Sequence, residues 1–252
     1  MASSRLLGDL SALQLSAELS KDSIVVLPLG AIEQHGQHLP LNTDFVVADA
    51  VSRAAVEKFG AETNAWLLPT LPFTKSNEHA WAAGTMWLSA TTMMSVIDDI
   101  GRCVAATPAK KIMFINGHGG NSALMAMMNR ELRLKYGLQT FLAHPHMPAD
   151  QGGSSAESEL GMGVHGGVDE TSVMLHLRPD LVDMTLAVRH SNISCFIAYR
   201  HKIFITTNQK RFIQKIRRSV PQHSITFHFS NTKTSIICTT LNRLSCQRCS
   251  WS

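Results

Sequence analysis

Short apolar runs at Ile24–Leu29, Ala65–Leu71, Lys111–Asn116 and Leu138–His144 alternate with longer stretches that repeat apolar residues at helical spacing, near Phe45–Phe59, Thr91–Ala106 and Ser122–Tyr136. Brief runs rich in Val, Ile, Leu and Phe read as strands buried on both faces, and the 3.6-residue period reads as helix. Regular alternation of the two predicts a mostly parallel central sheet covered by helices on both faces, a three-layer α/β/α sandwich. The Met-rich stretch at Leu124, Met125, Met127 and Met128 reads as core filling. No internal repeat occurs in the first 188 residues, and Gly117-His118-Gly119-Gly120 has neither the P-loop spacing nor the dinucleotide-binding spacing.

Acidic and histidine residues follow several of these apolar runs. In Ile32-Glu33-Gln34-His35-Gly36, which follows the first strand run, an extended backbone points positions i and i+2 the same way. Glu33 and His35 are therefore expected to face one cavity, with His38 on the opposite side. The third run leads into Asn116-Gly117-His118-Gly119-Gly120-Asn121, where small neighbours let the chain turn sharply and leave room around the imidazole. In open parallel sheets, sites form beyond the carboxyl ends of the strands, which is where both clusters fall. Asp44, in Asn42-Thr43-Asp44-Phe45, reads as a helix N-cap or first-turn acid, a role that is compatible with ligation. Later come His165 and Glu170. Carboxylate and imidazole donors without cysteine suit zinc or manganese better than copper or an iron–sulfur centre.

Four segments, in order, resemble the motifs of the creatininase (creatinine amidohydrolase) family. They are Gly30-Ala31-Ile32-Glu33-Gln34-His35-Gly36 with Leu39-Pro40-Leu41-Asn42-Thr43-Asp44, then Glu78-His79 with Gly84-Thr85, then Asn116-Gly117-His118-Gly119-Gly120-Asn121, and last His165-Gly166-Gly167-Val168-Asp169-Glu170. The resemblance runs from about Ser23 to Met184. It implies a creatininase-like sandwich that binds two divalent ions, Zn2+ or Mn2+, with Asp44 bridging, Glu33 and His118 on one ion and His35 on the other. Creatinine-hydrolysing members are expected to carry a glutamate two residues after the central His, where this chain has Gly120. Glu170 is then expected to complete the second ion's shell. The implied chemistry is hydrolysis of a non-peptide C–N bond (amide, cyclic amide or formamide) in a small molecule by an activated water. His165 is expected to carry a proton to the leaving nitrogen, and Glu78 is a second catalytic candidate. The alternative for His165 is to orient Glu170, and for Glu78 and His79 to cap a surface loop. Ser76, His79 and Gly119 are expected on the substrate side. Creatinine itself is disfavoured, because no tryptophan lies between Trp87 and Trp251 to clamp its ring. Homo-oligomers are implied by the resemblance alone.

The chain has 252 residues and 44% hydrophobic content, enough to bury a substantial core. No apolar run spans a membrane and no signal-peptide pattern opens the sequence, so a cytoplasmic location is the expectation. Charge is unevenly distributed. Residues 1–188 hold 12 Lys+Arg and all 19 Asp+Glu, a net of −7, whereas residues 189–252 hold 11 Lys+Arg and no acid. All 16 glycines precede Arg189 and four of the five cysteines follow it. Residues 1–188 therefore read as a metal-dependent amidohydrolase domain, and 189–252 as an atypical basic tail that is not native to the fold. A nucleic-acid-binding tail is the weaker reading, since no such motif is present. Cys246-Gln247-Arg248-Cys249 has zinc-like spacing, but Cys195 and Cys238 do not complete a paired pattern. A second functional reading follows from the tail: a truncated, non-catalytic relative that keeps the ligands and lacks the family's C-terminal elements.

Overall fold

Four parallel strands form the central sheet, in the order β2 (Ala65–Leu67), β1 (Ile24–Leu29), β3 (Lys111–Asn116), β4 (Gln139–Ala143). This computed structural model describes residues 5–146, 151–153, 159 and 163–188, together with the backbone of two further strands, β5 (Thr226–Phe229) and β6 (Ile236–Thr239). The α-helices are α1 (Ala12–Glu18), α2 (Thr43–Thr63), α3 (Ala90–Ala105), α4 (Ser122–Tyr136) and α5 (Val168–Leu177), with short 3-10 turns between elements. The chain divides into two compact units, Met1–Ser191 and Asn192–Ser252. In the second unit β5 and β6 pair antiparallel, while Cys195, Cys246 and Cys249 lie outside the described residues.

Side-chain alternation along β1 assigns its neighbours. Val25, Leu27 and Leu29 enter the main core with Ile112 and Phe114 of β3, Met93, Ile97 and Val104 of α3, and Met125, Met128 and Leu132 of α4. Val26 points the other way, into a smaller cluster with Val56 of α2 and Leu67 of β2. Helices thus cover both faces, and α5 packs against α2. The Met-rich face of α4 is core filling as expected, with Met125 and Met128 buried.

β2 is shorter than the expected Ala65–Leu71 run. Pro28 and Pro69 both lack a backbone N–H, so the ladder breaks there and resumes only as an isolated bridge between Leu29 and Leu71. Two helices are too short for a helical period to mark them in the sequence. α1 is seven residues closed by a Ser11/Gln14 capping box, and α5 is ten residues without a strongly amphipathic face.

For the site, the β1/β3 register matters most. It pairs Ile24 with Lys111 and runs unbroken to Leu29 opposite Asn116, so both strands end level. The loops carrying Glu33/His35 and His118 therefore leave the sheet side by side.

Candidate metal centre

Glu33 and His35 are both fully buried on the loop after β1, and Asp44 lies in the first turn of α2. His35 Nε2 is 2.9 Å from Asp44 Oδ1, 3.8 Å from Glu33 Oε1 and 3.8 Å from Glu170 Oε1. His118 enters from the loop after β3, with Nδ1 at 3.2 Å from Glu33 Oε1 and 3.1 Å from Asp44 Oδ2. Asp44 thus lies between the two imidazoles, one oxygen toward each. The five residues expected as ligands converge on one cavity, although they are scattered from position 33 to 170.

The residues expected to serve catalysis and substrate lie around this cage. The His165 ring sits 4.2 Å from His35 and 4.1 Å from His79, centre to centre, nearly parallel to the latter. His165 Nε2 contacts the Gln34 carbonyl, and Nδ1 is 3.5 Å from Glu33 Oε1. His79 Nε2 is 3.8 Å from the same Glu33 oxygen. Ser76 is buried and its hydroxyl donates to Glu33 Oε2. Glu78 Oε1 is 3.3 Å from His118 Nε2, on the far side of that ring from Glu33. The Gly119 carbonyl accepts from Gln151 Nε2 at 3.1 Å. Gly166 adopts a positive φ of 62°, and its N–H donates to Glu170 Oε2, which aims the other oxygen at His35.

Sequence reasoning missed the support behind His118. Lys75 offers its carbonyl to His118 Nε2 at 3.0 Å, while its ammonium pairs with Glu78 Oε2 at 2.7 Å. Asn121 accepts from the Lys75 N–H and donates to Thr74 Oγ1 and Asn116 Oδ1. Its place in the glycine-rich motif is a signal, but its partners Lys75 and Thr74 lie in an aperiodic segment after β2. His38 is directed away from the cage by a different route from simple strand alternation. The chain turns at Gly36 (φ 83°) instead of staying extended, and the buried His38 bonds Thr171 Oγ1 on α5 at 2.9 Å.

Three carboxylates in so dry a space are stable only beside positive charge. Burial pushes the Asp44 carboxyl up, but the adjacent His35 and His118 outweigh it and hold the group well below the usual carboxylate range. Burial and Asp44 both push Glu33 up, yet His118 and His35 leave its pKa lowered. His35 shows the complement: burial pulls it down, while Asp44, Glu170 and Glu33 raise it to about 10. His118 is likewise raised well above its usual value, its burial overcome by Glu33 and Asp44. Outside the cage the sign reverses. His165 is lowered by burial and by the neighbouring His35, and His79 is lowered to about 4 by burial and by His165.

The cage fits divalent metal. Glu33 Oε1 and Asp44 Oδ2 are buried, and no described residue gives either a well-aligned hydrogen bond. Both point at His118 Nδ1, which carries at most one proton, so it cannot satisfy both oxygens. Glu33, His35 and Asp44 can each offer a ligand atom to one point, and so can His35, His165 and Glu170. An all-oxygen-and-nitrogen set of this kind suits zinc or manganese.

A family model described as creatinine amidohydrolase matches residues 8–212. The chain is 36% identical over 181 residues to a mycofactocin precursor peptide peptidase of Mycobacterium ulcerans, covering 70% of this chain and 67% of that protein. Matches to other mycobacterial proteins of that name span 59–65% of their length. It is 33% identical over 208 residues to a creatinine amidohydrolase of Pseudomonas putida, covering 75% of this chain and 78% of the other. Among solved structures, a creatininase described as the Mn form superposes with a TM-score of 0.61 at 25% identity, over 87% of this chain and all of that one. A mutant creatininase of Zn–Zn type superposes at 0.59 with 28% identity, over 75% and 78% of the two chains.

Proposed function

Because this chain belongs to the creatininase family, we propose that it is a metal-dependent hydrolase of a C–N bond, with Glu33, His35, Asp44, His118 and Glu170 as ligands to two divalent ions. One observation carries the reading: the buried, unsatisfied oxygens of Glu33 and Asp44 converge on the same side of the His118 ring. Zinc or manganese bound there supplies Lewis acidity and lowers the pKa of a water toward about 7.

The protein's own residues supply orientation and proton handling. Asp44 directs one oxygen to each imidazole and so serves both halves of the cage. The Gln34 carbonyl against His165 Nε2 fixes the proton on that nitrogen and leaves Nδ1 as the acceptor. Nδ1 faces Glu33 Oε1, so a proton taken up there is held as an ion pair until it is passed to the leaving nitrogen. The lowered pKa of His165 keeps it neutral, and able to accept, at pH 7. The stacked His79 restricts the ring to this orientation.

The substrate is a small molecule with a non-peptide amide, cyclic amide or formamide bond. A peptide bond is the second reading, favoured by the name of the 36% identical relative. Met184, Leu186 and Val188, close together in sequence, expose apolar side chains, which supports a homo-oligomer. No helix among the described residues is long and apolar enough to cross a membrane. Metal analysis of the purified full chain, with a panel of small amides, formamides and short peptides, tests the proposal. Bound metal with turnover supports the hydrolase. Metal without turnover of any panel member favours the non-catalytic relative, and absence of metal binding removes the reading.

A further inference from the structure

We propose that Glu78 is a positioning residue of the metal centre: its carboxylate lies beside the outer nitrogen of His118, whose N–H the Lys75 carbonyl accepts, and occupies, from a neighbouring loop, the space that any side chain at Gly120 would need. This rests on the metal reading above and specifies how its central histidine is held. The His118 ring has two distinct sides. Nδ1 faces Glu33 and Asp44, whereas Nε2 faces the Lys75 carbonyl at 3.0 Å and Glu78 Oε1 at 3.3 Å. A histidine that ligates through one nitrogen needs an acceptor for the other to fix tautomer and orientation, and a carboxylate also raises its basicity. Lys75 supplies that acceptor through its backbone and anchors the Glu78 carboxylate through its ammonium at 2.7 Å.

Gly120 provides the independent observation. A Cβ built there falls inside the Glu78 carboxyl and against His118 Nε2. The backbone of Gly120 is not in the left-handed region, so the glycine is required by the space the carboxylate fills and not by its own conformation. Glu78 is not placed as a ligand itself, because its oxygen meets the nitrogen facing away from Glu33 and Asp44.

The test is zinc affinity of the full-length protein, measured by competition with a chromophoric chelator, alongside the visible absorption of the Co2+-loaded form. Glu78→Ala is expected to weaken zinc binding by ~10–100-fold and to alter the Co2+ band. The melting temperature of the metal-free protein should move little, since the Glu78 side chain is 34% exposed. Glu78→Gln keeps an oxygen for Lys75 and the space beside His118 filled, and should retain more affinity than Glu78→Ala. Gly120→Ala should displace the carboxylate and weaken zinc by a similar factor, and the double variant should be no worse than Glu78→Ala alone. The inference is overturned if wild-type protein binds zinc and Glu78→Ala binds it equally well with an unchanged Co2+ band. A drop from two ions to one would instead make Glu78 a ligand and overturn the positioning role. If wild-type protein binds neither ion, the metal reading itself has failed.

Discussion

Asp44 concentrates the argument at the scale of single residues. One of its oxygens faces His35 and the other His118, so its loss affects both halves of the cage at once. Asp44→Ala is expected to abolish binding of both ions, whereas His35→Ala should deplete mainly one. Metal analysis of dialysed protein decides, and two ions retained in Asp44→Ala would sink the bridging role. The same pair sets a pH dependence. His35 is raised in the fold, so its pairing contributes stability that is complete below its ordinary value of about 6.5 and is lost as pH rises through about 10. Asp44 is lowered, so its contribution is present above the ordinary carboxylate value of about 3.9 and is lost as pH falls through the lower folded value. Metal-free protein should therefore lose stability between about pH 6.5 and 10. Zinc requires a neutral imidazole and should stabilise increasingly over the same range. Melting temperatures with chelator and with zinc check this; a chelated protein that grows more stable from pH 6.5 to 9 would contradict the His35–Asp44 pairing.

At the scale of elements, stability and ligation rest on different helices. Leu132 of α4 is fully buried in the main core and packs against the Gly101 position of α3. Leu132→Ala should cost about 2–5 kcal/mol by cavity formation and leave metal stoichiometry unchanged. Gly166 precedes α5 at a φ of 62°, and a Cβ there would lie 3.1 Å from the His35 carbonyl. Gly166→Ala should cost about 1–3 kcal/mol in backbone strain and, by shifting Glu170, weaken zinc binding as well. Denaturant unfolding and zinc titration of the two variants separate the effects, and equal zinc affinity in both would contradict the role given to Glu170. These elements were unequally legible in the sequence. Strand period placed Glu33 and His35 on one side of the chain because their spacing is local. Nothing local marks Ser76 or Lys75, whose partners Glu33 and His118 are 43 residues away and meet them only through strand register. The α5 helix is too short for its period to stand out, although its Glu170 was found through the late His/Glu motif.

At the scale of the whole molecule, several boundaries fall close together without coinciding. Glycine usage and acidic residues stop before Arg189, the first compact unit ends at Ser191, and the family match runs on to residue 212. Among the described residues, the four-stranded sheet, helices α1 to α5 and the proposed metal ligands all lie at or before Leu177, so none of them depends on the chain beyond 188 if that segment is foreign to the fold. A chain shortened to end at Val188 should then keep the same helical circular dichroism and melt within a few degrees of the full chain. It should also bind zinc with the same stoichiometry. A second chain ending at residue 212 measures what the matched segment from 189 to 212 adds. If it restores stability that the shorter chain lacks, the fold extends to the end of the family match. Amide exchange on the full chain gives the opposing outcome: strong protection across 189–252, with unfolding on its removal, would make the basic segment an integral part of the domain and overturn its reading as a foreign tail.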